Sequence, residues 1–293
     1  MTFINGKLQT QIDVSDRGLA YGDGLFETIA CIDGRLHNWD LHWQRLNFGA
    51  QALAIELPDE QIILTQIKLE LDHLSEPSDR VIKLIITRGQ GGRGYTFPES
   101  QQCSVIISTH PWPERSVQDY QQGIEATICQ TCLARQPSLA GIKHLNRLEQ
   151  VLGRNEFRHT NFQEGIMFEY SESNSSYEKI IVEGTSSNLF FVHNDKLCTP
   201  EIDTCGVRGT IRAAILSLAA QIGIETQQGH YPLKLLKEAT EMFFTNSVYG
   251  ILPVASIIVS ETEKWSFSNM KANDRIITSQ LAEKINKALK RPV

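Results

Sequence analysis

The prolines of Pro111-Trp112-Pro113-Glu114-Arg115 interrupt any regular element, and on either side of them the chain is long enough to bury a core of its own. At roughly 150 residues per domain, the 293 residues make two domains the natural expectation. Ahead of the break, the β-type runs FINGKL and TIACIDGRLHN open the chain, and Asp33-Gly34 between apolar alternations marks a tight hairpin. Asp40 stands where it can cap a helix whose apolar residues Leu41, Trp43, Leu46, Phe48 and Leu53 recur at helical spacing. A second helix is expected over residues 60–74. The runs VIKLIITRG and SVIISTH then read as strands separated by the glycine-rich loop 89–94. Together these predict a small α/β domain over residues 1–112, followed by a linker at 113–122.

The larger domain, 123–293, is predicted to hold strands at 124–133, 166–170, 180–183, 189–193, 242–245 and 254–259. Helices are predicted at 145–159, 210–222, 232–237 and 273–289. The polar stretch SESNSSYEK, residues 171–179, reads as an exposed insertion. Acidic and basic residues are interleaved along a chain of net charge −6, which leaves no basic stripe for a phosphate backbone and argues against a nucleic-acid partner. The N-terminus has no apolar signal core, and no run approaches the roughly 20 apolar residues of a membrane span, so a cytoplasmic protein without a membrane partner is expected. Cys129 and Cys132 have CxxC spacing, but they lie in an alternating run without a knuckle turn or a nearby His pair, and no metal site is expected.

Several residues could carry chemistry. Lys143, in A-G-I-K-H-L-N-R, stands just before a predicted helix, where desolvation would lower its pKa as an imine-forming amine requires. Alone, such a lysine is more often a solvated surface residue. Glu183 closes the apolar strand of I-I-V-E-G-T-S-S-N; it is either a strand-end carboxylate in water or a buried one in need of a cationic partner. Gly209, Thr210 and Ile211 open a helix whose free N–H groups suit a phosphate. Asn246 and Ser247 follow an apolar strand and present donors at its end, and Arg45 on the first helix could reach a phosphate with its guanidinium. For these last residues, taken alone, a cap or a structural ion pair is the more ordinary reading. The loop Arg88-Gly89-Gln90-Gly91-Gly92-Arg93-Gly94-Tyr95 lacks a P-loop or dinucleotide pattern, and its two arginines and tyrosine suit carboxylate recognition or a plain hairpin loop.

Taken in order along the chain, these motifs resemble the fold-type IV pyridoxal-phosphate (PLP) enzymes, which include the D-amino-acid and branched-chain aminotransferases and the aminodeoxychorismate lyases. The resemblance implies an α+β, two-domain, D-amino-acid-aminotransferase-like fold, its larger domain β-barrel-like with helices. It implies that Lys143 of I-K-H-L-N joins the cofactor, that Glu183 of E-G-T-S-S-N faces the pyridine nitrogen, and that Gly209, Thr210, Ile211, Asn246, Ser247 and Arg45 hold the phosphate. Within the family, A-G-I-K-H-L-N-R-L-E-Q-V-L and R-G-Q-G-G-R-G-Y resemble the lyases. The carboxylate trap of the D-amino-acid aminotransferases has a tyrosine where this chain has Phe26 and a histidine where it has Tyr95; of that trap Arg93 remains. The lyase resemblance implies elimination from 4-amino-4-deoxychorismate to 4-aminobenzoate and pyruvate for folate synthesis, with Arg93, Arg88, Tyr95 and Phe26 around the substrate. It also implies a homodimer.

Overall fold

A computed structural model describes residues 2–73, 78–173, 176–267 and 276–293. The chain divides into two compact units. One comprises the chain through Pro113 together with Ile142–Asn146; the other comprises Glu114–Gly141 and Arg147–Val293. This corrects the predicted boundaries twice. The five residues around Lys143 pack with the first unit, and the expected linker is structured: Val117–Gln121 is a helix (α4) capped by the Ser116 hydroxyl, and its Tyr120 is buried. A five-residue helix is too short to show a hydrophobic period.

In the first unit the described strands make a six-stranded antiparallel sheet in the order β2-β1-β6-β5-β3-β4. Its strands are β1 (Thr2–Ile4), β2 (Lys7–Leu8), β3 (Gly24–Ile32), β4 (Arg35–Leu36), β5 (Arg80–Thr87) and β6 (Ser104–Pro111). Asp33 and Gly34 both adopt positive φ in the β3–β4 turn, as an Asp-Gly hairpin requires. Helices α2 (Trp39–Leu53) and α3 (Glu60–Asp72) bury Leu46, Ala50, Ile63 and Ile67. The α2 packing depends on Gly49, where a Cβ would come within 2.8 Å of the Leu25 side chain. The N-cap of α2 is Asn38, not the expected Asp40, which lies in the first turn. Helix α3 ends at Asp72, and position 74 of the prediction lies outside the described residues. A short helix, α1 (Arg17–Tyr21), was not foreseen.

The described strands of the second unit make a nine-stranded mixed sheet, β12-β11-β10-β13-β14-β7-β8-β9 with β15 on β14. Its ranges are β7 (Ile124–Ile128), β8 (Glu164–Ser173), β9 (Ser176–Gly184), β10 (Asn188–His193), β11 (Lys196–Pro200), β12 (Thr226–Gly229), β13 (Glu241–Asn246), β14 (Gly250–Ile258) and β15 (Lys264–Ser266). The sheet curls until β9, at one edge, meets β10 and β11 near the other. Inside the curl lie Ile124, Ala126, Ile166, Ile181, Leu189, Phe191, Phe244, Leu252 and Val254.

Helices α5 (Leu148–Glu156), α6 (Thr210–Gln221) and α7 (Ile276–Ala288) complete the unit. The expected start of α7 at 273 lies outside the described residues. The predicted helix at 232–237 is a 3₁₀ turn, Leu233–Glu238. The predicted strand 124–133 stops at Ile128, and Cys129 turns inward to pack against Phe157, Met167 and Val182. The stretch 171–179 is not a loop inserted between elements: Ser171 pairs with Glu178 and Glu172 with Tyr177, so the β8–β9 hairpin is extended. Residues 174 and 175 of that stretch lie outside the described residues.

Candidate active site

In the first unit, β5 occupies one edge of β3 along its length, and the segment Ile142–Asn146 occupies part of the other. Leu25 bridges His144, the Phe26 N–H donates to the Lys143 carbonyl at 3.0 Å, and the Leu145 N–H donates to the Gly24 carbonyl at 3.0 Å. Lys143 therefore sits on an extended, sheet-bound segment, not at a helix start. Its Nζ lies 4.2 Å from the centroid of the Phe26 ring.

One residue further along β3, Glu27 points into the unit and meets α2. Arg45 Nε donates to Glu27 Oε1 at 2.8 Å, Arg45 Nη2 bonds Glu27 Oε2, and His42 Nδ1 lies 2.6 Å from the same oxygen. His42 and Arg45, three positions apart, share one helix face. Burial alone would raise the Glu27 pKa, but the Arg45 charge and His42 overcome it and hold the carboxyl down to about 2. Burial pushes His42 down as well, against the pull of Glu27, and the Arg45 and Lys143 charges push the same way as burial. The sequence reading missed Glu27 and His42. The signal was present as a carboxylate inside the apolar run L-F-E-T-I-A.

The arginine loop divides into two kinds of residue. Arg88 is buried, and all five of its N–H donors are used within the protein: Nε and Nη2 on Asp23 (2.8 and 2.9 Å), Nη2 also on the Leu53 carbonyl (2.7 Å), and Nη1 on the Ala54 carbonyl (2.7 Å) and Gln101 (3.1 Å). The expectation that Arg88 orients substrate is therefore corrected. Its fork closes the C-terminus of α2 and neutralises Asp23, and no donor remains. Arg93 and Tyr95 are exposed, Tyr95 at 85% and edge-on to Tyr21. Their loop is anchored by buried Arg17, which donates to the carbonyls of Gly94 (3.0 Å) and Tyr95 (3.4 Å) and pairs with Asp23.

In the second unit, Glu183 is buried at the end of β9. Its Oε2 accepts the Val207 N–H at 2.9 Å and its Oε1 the Gln150 side chain at 3.4 Å. Burial lowers the pKa of Arg147, and the Glu183 charge opposes that shift. Gln150 and Arg147 went unnoticed in the sequence because a short helix of mixed composition advertises no inward polar face.

Gly209 is the N-cap of α6, with no side chain bonding the first N–H groups, and Thr210 and Ile211 are buried behind it. A Cβ on Gly209 would lie 1.9 Å from Asn188 Oδ1, so only glycine fits. Arg212 turns away, to the Pro200 carbonyl and Gln228. At the end of β13, Asn246 donates to the Ser186 carbonyl (3.2 Å) and accepts from Val248 and Tyr249, with Ser247 half-buried in the turn.

Each unit, taken by itself, holds groups that suit the pyridoxal phosphate that the resemblance implies. The first unit offers an amine lying on an aromatic face. The second offers a buried carboxylate for a protonated ring nitrogen, an uncapped helix start for a phosphate, and a buried Thr245 hydroxyl that has no partner among the described residues.

A family model for class IV aminotransferases matches residues 24–257. The aminodeoxychorismate lyase of Vibrio harveyi is 32% identical over 263 residues, covering 90% of this chain and 93% of that protein. A putative branched-chain-amino-acid aminotransferase of Methanocaldococcus jannaschii is 29% identical over 260 residues, 87% of each. The crystal structure of 4-amino-4-deoxychorismate lyase from Pseudomonas aeruginosa superposes with a TM-score of 0.85 at 36% identity, covering 98% of this chain and 100% of that one. With a family match over most of its length and the fold-type IV architecture, the chain belongs to the class IV aminotransferase family.

Proposed function

We propose that the protein is a PLP-dependent 4-amino-4-deoxychorismate lyase, releasing 4-aminobenzoate and pyruvate for folate synthesis. The observation that carries this reading over an aminotransferase is the Lys143 amine lying on Phe26, a ring without a hydroxyl, where the resemblance gives D-amino-acid aminotransferases a tyrosine for their carboxylate trap. The identity to two lyases supports it.

When bound, PLP supplies an electron sink for the pair left at carbon when a proton is removed. Lys143 is the amine that joins its aldehyde. As a free amine, Lys143 Nζ would serve as the base for the substrate's C4 proton. Glu183, fixed by Val207 and Gln150, keeps the pyridine nitrogen protonated. The N–H groups of Thr210 and Ile211, the turn at Asn246-Ser247 and Arg45 hold the phosphate. Arg45 suits this role because Glu27 grips it on two nitrogens and so fixes the direction of its fork. Arg93 and Tyr95 would orient substrate carboxylates, and that positioning would favour elimination over transamination.

No helix among the described residues is long and apolar enough to cross a membrane. The protein is read as a cytoplasmic homodimer acting on a small molecule. Incubation with aminodeoxychorismate is expected to yield aminobenzoate and pyruvate in equal amounts. Turnover that needs D-alanine and 2-oxoglutarate, with no aminobenzoate formed, would make the protein an aminotransferase instead.

A further inference from the structure

The turn that follows Glu183 is held by a carboxylate that the chemistry above does not use. Glu164, the first residue of β8, is buried, yet its two oxygens accept from an unusual number of donors on that turn. Oε1 accepts from the Thr185 N–H (3.1 Å), the Thr185 hydroxyl and the Gly165 N–H (3.0 Å). Oε2 accepts from the hydroxyls of Ser187 (2.9 Å), Ser186 (3.1 Å) and Tyr249 (3.4 Å). Arg154 approaches at 3.7 Å. Every hydroxyl of T-S-S is therefore bonded to one carboxylate.

Three segments meet at this turn. Glu183 is two residues ahead of Thr185. Asn188, directly after Ser187, donates to the Val207 carbonyl at 2.8 Å and wedges against Gly209, at the start of α6. The Ser186 carbonyl accepts Asn246, and Asn246 in turn accepts from the backbone of Tyr249, whose hydroxyl returns to Glu164. The carboxylate that faces the ring nitrogen and the two segments that face the phosphate in the reading above are thus braced through one buried group.

We infer that Glu164 is a positioning residue of the cofactor site: by gripping the 185–187 turn it sets the spacing between Glu183, the α6 start and the Asn246 turn, so that ring and phosphate are bound together. This rests on the proposed cofactor residues but not on the identity of the substrate. A buried carboxylate with a purely local duty is the natural control, and Glu241 is one, accepting the Thr278 N–H at 2.8 Å and the Ile277 N–H at 3.3 Å in the same unit.

The test is PLP titration of apo-protein, read by cofactor absorbance, alongside thermal melts of the apo forms. Glu164→Gln keeps one acceptor oxygen but faces donor hydroxyls with an N–H₂ group. It is expected to raise the PLP dissociation constant about tenfold, the scale of a lost hydrogen bond to a charged group, and to shift the pH at which the cofactor absorbance changes. Ser187→Ala, a milder variant, should move both readouts in the same direction by a smaller factor. Glu241→Gln should lower the apo melting temperature and leave both cofactor readouts unchanged. If Glu164→Gln and Ser187→Ala lower only the melting temperature, as Glu241→Gln does, the positioning role is overturned and Glu164 is structural. Wild-type protein that takes up no PLP at all would overturn the cofactor reading itself, an outcome distinct from equal binding by variant and wild type.

Discussion

Glu27 shows how a single residue can tie stability to pH. Its carboxyl is held near 2 in the folded protein against an ordinary 4.5, because Arg45 and His42 outweigh the cost of burial. A depressed carboxylate stabilises the fold fully above the ordinary value and loses that contribution as pH falls toward the folded one, a term of ~3 kcal/mol here. His42, also depressed, begins to weaken the fold below its ordinary 6.5. Thermal melts between pH 7 and pH 2 are therefore expected to fall most steeply below pH 4.5. Glu27→Gln should be less stable at neutral pH by a few kcal/mol, since Arg45 would lose its buried partner, and should show a flatter acid limb; an unchanged limb would contradict the assignment. Lys143 invites a cleaner experiment. Lys143→Ala should melt as wild type does but form no borohydride-fixed adduct with PLP and no product. An adduct surviving in that variant would place the reacting amine elsewhere.

At the scale of elements, the loop after β5 separates two arginines that look equivalent in sequence. Arg88 ties the end of β5 to the last carbonyls of α2, where a cation is favoured by the helix dipole. The C-cap of α2 is Ala54, in a left-handed conformation (φ 51°) without a glycine, and the arginine bonds the Leu53 and Ala54 carbonyls that end the helix. Arg88→Met should cost ~3–5 kcal/mol in a urea titration, while KM per folded molecule is unchanged. Arg93→Ala should do the reverse, raising KM about tenfold or more with little effect on unfolding, as the contact proposed between its exposed guanidinium and substrate requires. Similar KM losses in both variants would refute the separation. Helix α5 shows a second element-level feature: its polar residues Glu149, Gln150 and Glu156, not its large apolar ones, bond to the rest of the unit, through backbone N–H groups and Glu183.

For the whole molecule, that inversion leaves Leu148, Val151 and Leu152 outward, 77%, 60% and 59% exposed on one helix face. An apolar stripe of this kind stays wet in a monomer and is covered in an isologous dimer. Wild-type protein is expected to sediment as a dimer and Val151→Asp/Leu152→Asp to shift toward monomer. A variant that sediments as wild type would move the interface to another face.

What the sequence determined by itself was local and chemical. The Asp33-Gly34 turn, the strands around VIKLIITRG and SVIISTH, and the I-K-H-L-N and E-G-T-S-S-N motifs are legible because turn chemistry, period-2 alternation and short motifs are properties of adjacent residues. The tertiary structure decided which polar side chains are spent. Arg88 and Arg93 have the same chemistry and neighbouring positions, yet one is saturated by carbonyls of α2 and the other stays exposed, because hydrogen bonds across more than thirty residues of chain leave no periodic trace. The same reason hid Glu164, which lies ahead of the strand predicted at 166–170, and placed Ile142–Asn146 in the first unit: its backbone takes part of the other edge of β3, and pairing between segments more than a hundred residues apart is settled only once both strands exist.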